Sequence, residues 1–348
     1  MSADSARVEV VAAGLLSGVQ DAGRSGYYHL GIPPSGAMDQ LSYRAANLLV
    51  GNDETAAAIE FALMGPTLRF AADGAVAVTG AEVAVTLDGV PIATNACVEV
   101  SAGQQLALGY AQAGARGYVA IAGGLDVPVV LGSRSTYALG SLGGFQGRAL
   151  AAGDVLPLGR NVRRPRRPAV LPENLRVPLR KEYELRLMLG LYADRVERDS
   201  LDRFLAETWQ VGSEADRIGY RLKNGTPLRY VQRVPPFGAG EDPSNIVDAC
   251  YPIGSVQVPS GTEPIILHRD AVSGGGYMMV GTVISADLDV IGQMPPGTKV
   301  RFVAVDLDQA LAARHERAAR LAAVRDLLAV SGSQPTNPRF TSTVRDHR

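Results

Sequence analysis

The residues of this chain best suited to chemistry crowd into one early stretch. "VQDAGRSGYYHLGIPPSGAMDQ", Val19 to Gln40, brings together Gln20, Asp21, Arg24, His29, Ser35 and Asp39, with two tyrosines and four glycines. A carboxylate can take or orient a proton, an arginine fork can grip a carboxylate or phosphate, and glycine lets backbone approach a ligand closely. The stretch is either a long surface loop or a set of reactive groups presented by a rigid scaffold. It runs into a helix predicted from about Met38 to Val50, where Leu41, Ala45, Leu48 and Leu49 recur at helical spacing and Gly51-Asn52 supplies the stop. Ser35 or Asp39 is the expected N-cap, and free N–H groups at that helix start favour a carboxylate or phosphate.

Two later stretches carry similar potential. "RDAVSGGGYMMVGT", Arg269 to Thr282, sets three glycines after an apolar strand, more than a hairpin turn requires. A strand follows rather than a helix, which separates this loop from a nucleotide P-loop. "GSEADRIGYRL", Gly212 to Leu222, places Arg217 between a turn and a strand. There it either grips a ligand carboxylate or pairs on the surface with Glu214 or Asp216.

Other chemistries find no support. No GxxxxGK[ST] segment, no Rossmann glycine fingerprint after a strand, no G-x-S-x-G elbow and no Met-Lys-Met biotin acceptor occurs. Of the four histidines, His315 falls on a helix and His347 in the tail; His29 and His268 alone make no spaced ligand set, so no metal is assigned. Cys97 and Cys250 match no redox or metal spacing and are expected as buried thiols. A net charge of −1 offers no global field for nucleic acid or anionic lipid. The N-terminus lacks a basic-then-apolar signal pattern, and no run of about eighteen apolar residues occurs, so a cytoplasmic location is expected.

The elements that must position these groups are mostly strands. Residues 66 to 123 alternate apolar residues with glycine turns, expected at Thr79-Gly80 and Asp88-Gly89, in the rhythm of a sandwich or barrel. "RNVRRPRRPAVLPENLRVP", from Arg160, carries five arginines in its first eight residues and repeated prolines, and reads as a linker. Strand-like runs resume in "EYELRLMLG", "PIILHRD", "YMMVGTVIS" and "KVRFVAV", with a short helix in "DSLDRFLAETWQV". "LAAGDVLPLG" and "MPPGTKVRFV" each close a half with a glycine turn and a strand. The predicted organisation is a β-rich domain over 1–160, a linker at 161–178, and a second β-domain over 179–305. An amphipathic helix follows at 306–330, with Leu307, Leu311, Leu321, Val324 and Leu328 on one side, and then a tail at 331–348.

Three stretches together resemble one family. "GLLSGVQDAGRSGYYHLGIPPSGAMDQLSYRAANLLVGN" (Gly14 to Asn52), "GGLDVPVVLGSRSTYALGSLGGFQGRALAAGD" (Gly123 to Asp154) and "GGYMMVGTVISADLDVIGQMPPGTKVRF" (Gly275 to Phe302) are similar to the signatures of the allophanate hydrolase subunit 2 family. That family is also known as the biotin-dependent carboxyltransferase-like family, and it includes the C-type subunits of 5-oxoprolinase. Its V-Q-D-x-G-R-x-G falls on Val19 to Gly26, its S-G-A-M-D on Ser35 to Asp39, and its G-S-R-S-T on Gly132 to Thr136 with Arg134. Its S-x-R-M-G-x-R-L appears as Ser213 to Leu222 with one extra residue and Ile218 for methionine. The sequence departs from the family in reading "GLYAD" from Gly190, in lacking the threonines and proline around Gly274 to Tyr277, and in having His268 and Arg269 before Asp270.

The resemblance implies a mainly β fold of two cyclophilin-like β-barrel domains plus a C-terminal helix. It implies a subunit of a heteromeric, ATP-dependent 5-oxoprolinase-type amide or lactam hydrolase. Its partners would be a companion cyclophilin-like subunit and a LamB/YcsF-type subunit, with ATP bound here or on a partner. Two alternatives stay open: a urea-carboxylase-like carboxyltransferase served by biotin on another chain, and a non-catalytic antagonist of a kinase-inhibitor subunit. For the hydrolase, Arg24 or Arg217 would hold a substrate carboxylate and Asp21 or Asp39 would act as general base. Gly274, Gly275 and Gly276 would stabilise an oxyanion. Gln20, His29, Ser35, Arg134, Asp270 and Tyr277 complete the expected binding set.

Overall fold

Residues 7–157 build nine strands of one strongly bent sheet in a computed structural model that describes residues 6–160, 170–234 and 236–328. In chain order these are β1 (Arg7–Ala12), β2 (Leu16–Gln20), β3 (Ala58–Ala62), β4 (Thr67–Phe70), β5 (Gly74–Leu87), β6 (Val90–Pro91), β7 (Val98–Val100), β8 (Gln105–Ile121) and β9 (Val155–Pro157). The sheet runs β2-β3-β8-β4-β1-β9, with β5 also on β8 and carrying β6 and β7. β8 is long enough to serve three partners: its C-terminal part pairs with β3, its start with β4, and most of its length with β5.

The turn expected at Thr79-Gly80 is not a turn. β5 passes straight through Gly80, which has a φ of +86°, and the register shifts before Glu82. This bulge bends the sheet. A Cβ at Gly80 would stand 2.4 Å from the Arg116 carbonyl oxygen, so only glycine permits the bend. Asp88-Gly89 does turn the chain, with φ of +51° and +80°, as a two-residue hairpin demands.

The second half closes completely. β10 (Glu182–Leu189), β11 (Trp209–Val211), β12 (Gly219–Lys223), β14 (Ser255–Gln257), β15 (Ile265–Leu267), β17 (Met279–Val283) and β18 (Lys299–Ala304) form a barrel in the order β10-β17-β14-β15-β12-β11-β18, sealed by the parallel pair of β10 and β18. β13 (Asn245–Cys250) and β16 (Gly274–Tyr277) make a separate two-stranded sheet. The mainly β class, the two β-units and the C-terminal helix therefore stand. The second unit is a full cyclophilin-like barrel, and the first is a half-barrel that does not close.

Among the described residues four α-helices complete the fold: α1 (Gln40–Leu49), α2 (Arg198–Ala206), α3 (Leu288–Ile291) and α4 (Leu307–Leu328). α2 covers one end of the barrel, where Phe204 stacks on Phe302 at 4.9 Å between centroids and its carbonyl accepts the Trp209 indole N–H. α1 lies on β5 and β8, and Leu321, Val324 and Leu328 of α4 pack against that same core. Leu307 and Leu311 do not join them; they are exposed, and in the N-terminal half of α4 only Ala313 is buried. Cys250 is also exposed rather than buried.

Of the expected Arg/Pro linker, residues 161–169 lie outside the described residues, as does the tail from 329. The remainder is packed: Leu171 and Val177 are buried in the core under α1 and α4. Among the described residues no helix is long and apolar enough to cross a membrane.

Gly117 on β8 tests the packing. A Cβ there would lie 2.1 Å from the Phe61 ring. Gly117→Ala is expected to cost about 1–3 kcal/mol by overpacking, measured by urea denaturation. Adding Phe61→Leu should recover part of that loss.

Candidate functional site

The opening loop is folded back on itself, backbone against backbone. Gly23 and Gly36 both have positive φ, and a Cβ on Gly36 would lie 2.8 Å from Gly23 Cα. Arg24 N–H donates to Pro34 O at 2.6 Å, Ala37 N–H to Asp21 O at 2.9 Å, and Gly36 N–H to Gln20 Oε1 at 3.1 Å. Any side chain at either glycine would force the two limbs apart.

Asp21 ties this loop to the Gly132–Thr136 segment. Its Oδ1 accepts from Gly23 N, Ser133 Oγ and Ser135 Oγ at 2.5–2.8 Å, and its Oδ2 accepts from Arg134 N at 2.5 Å. With both oxygens engaged, Asp21 organises the loop. Arg24 is almost fully buried, donates from Nη2 to Ser135 O at 2.8 Å, and leaves Nη1 without a partner. Burial lowers its proton affinity, against the pull of Asp21 and Asp270.

Arg217 joins the two β-units. Its Nη1 donates to Glu60 Oε1 at 2.5 Å, its Nε to Asp270 Oδ2 at 2.7 Å, and its Nη2 to Gly36 O at 2.8 Å. Burial would lower its proton affinity, but Asp270 and Glu60 outweigh that and raise it, so the side chain is a permanent cation. Glu60 also accepts from Met38 N at 2.8 Å and Tyr118 Oη at 3.0 Å, with Arg116 Nη1 3.7 Å away. The surface pairing of Arg217 with Glu214 or Asp216 does not occur: Glu214 pairs with Lys223.

Asp39, rather than Ser35, caps α1. It is wholly buried and accepts from Ser42 N at 2.9 Å, Ser42 Oγ at 2.6 Å and Gln293 Nε2 at 2.8 Å. Burial, then the neighbouring Asp289 charge, pushes its pKa up to about 7, against the lowering effect of those hydrogen bonds. Its neighbour Met38 sits in the barrel core, so the loop is pinned to the second unit by packing as well as by charge.

Around Asp270 several polar atoms remain unfilled. Ser35 N donates to Arg269 O at 3.0 Å, yet Ser35 Oγ is buried and unpartnered. Tyr28 Oη is likewise buried without a partner; its proton affinity is raised by burial first, with Arg269 lowering it and Asp270 raising it. Arg24 Nη1, Tyr28 Oη and Ser35 Oγ are thus all left unpaired on the opening loop, and the Asp270 charge acts on both Arg24 and Tyr28. Buried polar atoms left unpaired are costly and mark places where a ligand can supply the missing bonds.

The structure brings together Gln20, Asp21, Arg24, Ser35, Asp39, Arg217 and Asp270. It brings Arg134 to Asp21 through the backbone N–H only, and does not bring the remaining side chains to them. His29 is exposed, and Arg134 donates to Val127 O and Asp126. The triple glycine is not a loop: Gly274, Gly275 and Gly276 lie in β16, laddered to β13, and a Cβ on Gly275 would meet the Tyr251 ring at 3.1 Å. Glycine is needed there for that close approach. Tyr277 exchanges hydrogen bonds with Tyr251, whose Oη donates to Tyr277 O and accepts from Tyr277 N. His268 is buried and neutral, its pKa pushed down to about 3 by burial and the Arg269 charge, with Nδ1 accepting from Arg269 N and Nε2 facing Leu288 O.

Glu60, Arg116, Tyr118, Asp289 and Gln293 escaped the sequence reading. Glu60 left one trace, an acid inside the otherwise apolar strand "AIEFA". A hollow of about 590 Å³ lies elsewhere, beside Glu197, Arg229 and Asp242. Among the described residues no three His, Cys, Asp or Glu groups stand close enough to hold a metal.

A half-barrel and a barrel joined through a buried ionic cluster define a carboxyltransferase-type β-domain protein. Residues 30–304 match the model described as "Carboxyltransferase domain, subdomain A and B", and the chain belongs to that family. The C subunit of Escherichia coli 5-oxoprolinase is 36% identical over 310 residues, 89% of this chain and 95% of that protein. Saccharomyces cerevisiae urea amidolyase is 37% identical over 305 residues, 85% of this chain but 16% of that protein. The Kluyveromyces lactis urea carboxylase structure superposes with a TM-score of 0.86 at 34% identity, over 93% of this chain and 30% of that one. The chain therefore spans under a fifth of the Saccharomyces enzyme and nearly all of the Escherichia coli protein.

Arg217→Ala strands Asp270 as a buried charge and leaves Glu60 with only the more distant Arg116, and is expected to cost roughly 3–5 kcal/mol, read from denaturant midpoints. Lysine should not restore the loss, since a point charge cannot bridge both acids and Gly36. Asp39 sets a pH signature. Its native pKa of about 7 lies above its unfolded value, so its contribution is full at low pH and is lost as pH rises from about 4 to 7. The stability of Asp39→Asn minus that of the wild type should therefore rise between pH 5 and pH 8; a flat difference would refute the assignment.

Proposed function

We propose that this chain is the C-type subunit of a heteromeric, ATP-dependent amide or lactam hydrolase of the 5-oxoprolinase type, working in the cytoplasm. One observation carries the reading: the match to the 5-oxoprolinase C subunit is end to end, 89% of this chain on 95% of the relative. Its partners are a companion cyclophilin-like subunit and a LamB/YcsF-type subunit, and ATP is bound chiefly by a partner.

The substrate carries a carboxylate and a planar amide. The unpaired Nη1 of Arg24 donates to its carboxylate, and Ser35 Oγ and Tyr28 Oη bind its amide edge. Asp270 is the acid whose charge reaches both Arg24 and Tyr28. Its two oxygens are held by Arg217 alone, at 2.7 and 3.2 Å, whereas those of Asp21 accept from four separate donors. Asp270 therefore orients the water that adds to the amide carbon before the C–N bond breaks. Arg217 positions Asp270 rather than touching substrate, because its donors are already engaged.

A second reading has its own support. The family is a carboxyltransferase domain, and 93% of the chain superposes on a segment of a urea carboxylase. In that reading carboxyl arrives on biotin carried by another chain. A regulatory role, as antagonist of a kinase-inhibitor subunit, would use the same cleft as an interface.

Reconstitution separates these. The complex with its companion subunits should release glutamate from 5-oxoproline only with ATP, and omission of this chain should abolish release. Asp270→Asn in the complex should lower kcat by about 10²-fold or more with assembly intact. Biotin-dependent carboxylation of urea in place of glutamate release would establish the carboxyltransferase reading.

A further inference from the structure

A second hollow, of about 320 Å³, opens where the start of α1, the opening loop and α4 meet. Arg44, Arg269, Arg317 and Arg325 line it with Ala22 and Gln40, and no carboxylate faces it. Four guanidinium groups converging on one space repel one another, so such a cluster needs counter-charge.

Two acids outside the wall supply part of that charge. Glu54 is shared, accepting Arg325 Nε at 2.6 Å and Nη2 at 2.8 Å while also pairing with Arg44. Asp289 accepts Arg317 Nε at 2.5 Å and Nη2 at 3.1 Å, together with the Gln40 backbone N–H at 2.9 Å. Arg269 shares in neither. Its Nε is buried without a hydrogen-bond partner, and no carboxylate among the described residues pairs with it. Burial lowers its proton affinity and only Asp289, among the acids, opposes that.

Glu54 and Asp289 are the acids paired with the four arginines, and even with the more distant Asp39 the positive charge stays in excess. A phosphate monoester carries about −1.5 to −2 near neutrality, and its oxygens match the guanidinium fork. The volume sits at the lower end of small-ligand sites, roughly 300–1,000 Å³. We propose that this hollow binds a small phosphorylated ligand through its phosphoryl dianion, with Arg269 as the principal fork and Arg44, Arg317 and Arg325 around it. This goes beyond the hydrolase reading and does not depend on it. Such a ligand also bears on the neighbouring cleft: the Arg269 carbonyl holds Ser35 N, and the next residue, Asp270, holds Arg217.

The test is calorimetric titration of the full chain with inorganic phosphate at constant ionic strength, balanced with chloride. Saturable binding is expected, with a Kd of about 1 mM or tighter. Arg269→Met orphans no acid and should raise that Kd about tenfold or more, with the fold checked by circular dichroism. Arg44→Gln, which leaves Glu54 paired with Arg325, should weaken binding as well and serves if Arg269→Met fails to fold. Arg301→Gln, on the barrel exterior beside Glu184, should bind like the wild type. No saturable binding up to about 10 mM, equal binding by Arg269→Met and Arg44→Gln, or an identical response to chloride alone overturns the proposal. Equal competition by glutamate would reassign the hollow to carboxylates and overturn its phosphoryl character. None of these outcomes touches the ATP-dependent assay of the complex.

Discussion

Everything around the opening loop depends on one buried cation. Arg217 and Asp270 come from adjacent loops at one end of the barrel, where Asp270 N donates to Arg217 O at 2.9 Å, and Glu60 comes from the half-barrel. Without Arg217, Asp270 would lose its ion-pair partner and Glu60 would keep only Arg116, 3.7 Å away. Removing such groups from water costs several kcal/mol apiece, recovered only when geometry and hydrogen bonds are complete. The cluster is therefore satisfied in one docking of the two units and in no displaced one. Specificity of arrangement, more than net stability, is what such a cluster contributes.

The loop between the units is held with the same completeness. Asp21 is engaged by four donors, Gln20 bridges Gly36 and Thr136, and Met38 is embedded in the barrel core. Against that background the unfilled atoms on Arg24, Tyr28, Ser35 and Arg269, with Arg116 Nε beside Glu60, stand out. A rigid first layer supported from behind is what a binding site requires, since loose groups lose geometry to motion. The site is thus built from what the scaffold leaves open, while the acids and arginines most prominent in the sequence are largely consumed in building it.

The same domain occurs inside long urea amidolyase chains and as a free-standing subunit, with the fold kept at TM-scores of 0.86–0.87 to the Kluyveromyces structures. That portability follows from its self-contained cores: one inside the barrel, one in the half-barrel, and a third beneath α1 and α4. The arginine hollow lies against this third core, so α4 does more than cover apolar surface. Its Arg317 and Arg325 reach Asp289 and Glu54 and form half of the charged wall.

By itself the sequence determined what depends on local periodicity and local hydrogen bonding. The strand rhythm of both halves, the hairpin at Asp88-Gly89, the capped helix after the opening loop and the family signatures could all be read in it. Tertiary structure alone decided which charges meet. Nothing near Arg217 in the chain points to Glu60, which is 157 residues away, and Gly80 reads as a turn until β8 is laid beside it. The triple glycine looks like an anion loop until Tyr251 occupies the space that it leaves. Leu307 and Leu311 share a helical face with Val324, but that face outruns the surface it covers. In each case the physical reason is one: a residue's type limits the bonds it can make, and only the docking of distant segments fixes which of them are made within the chain and which are left for a ligand.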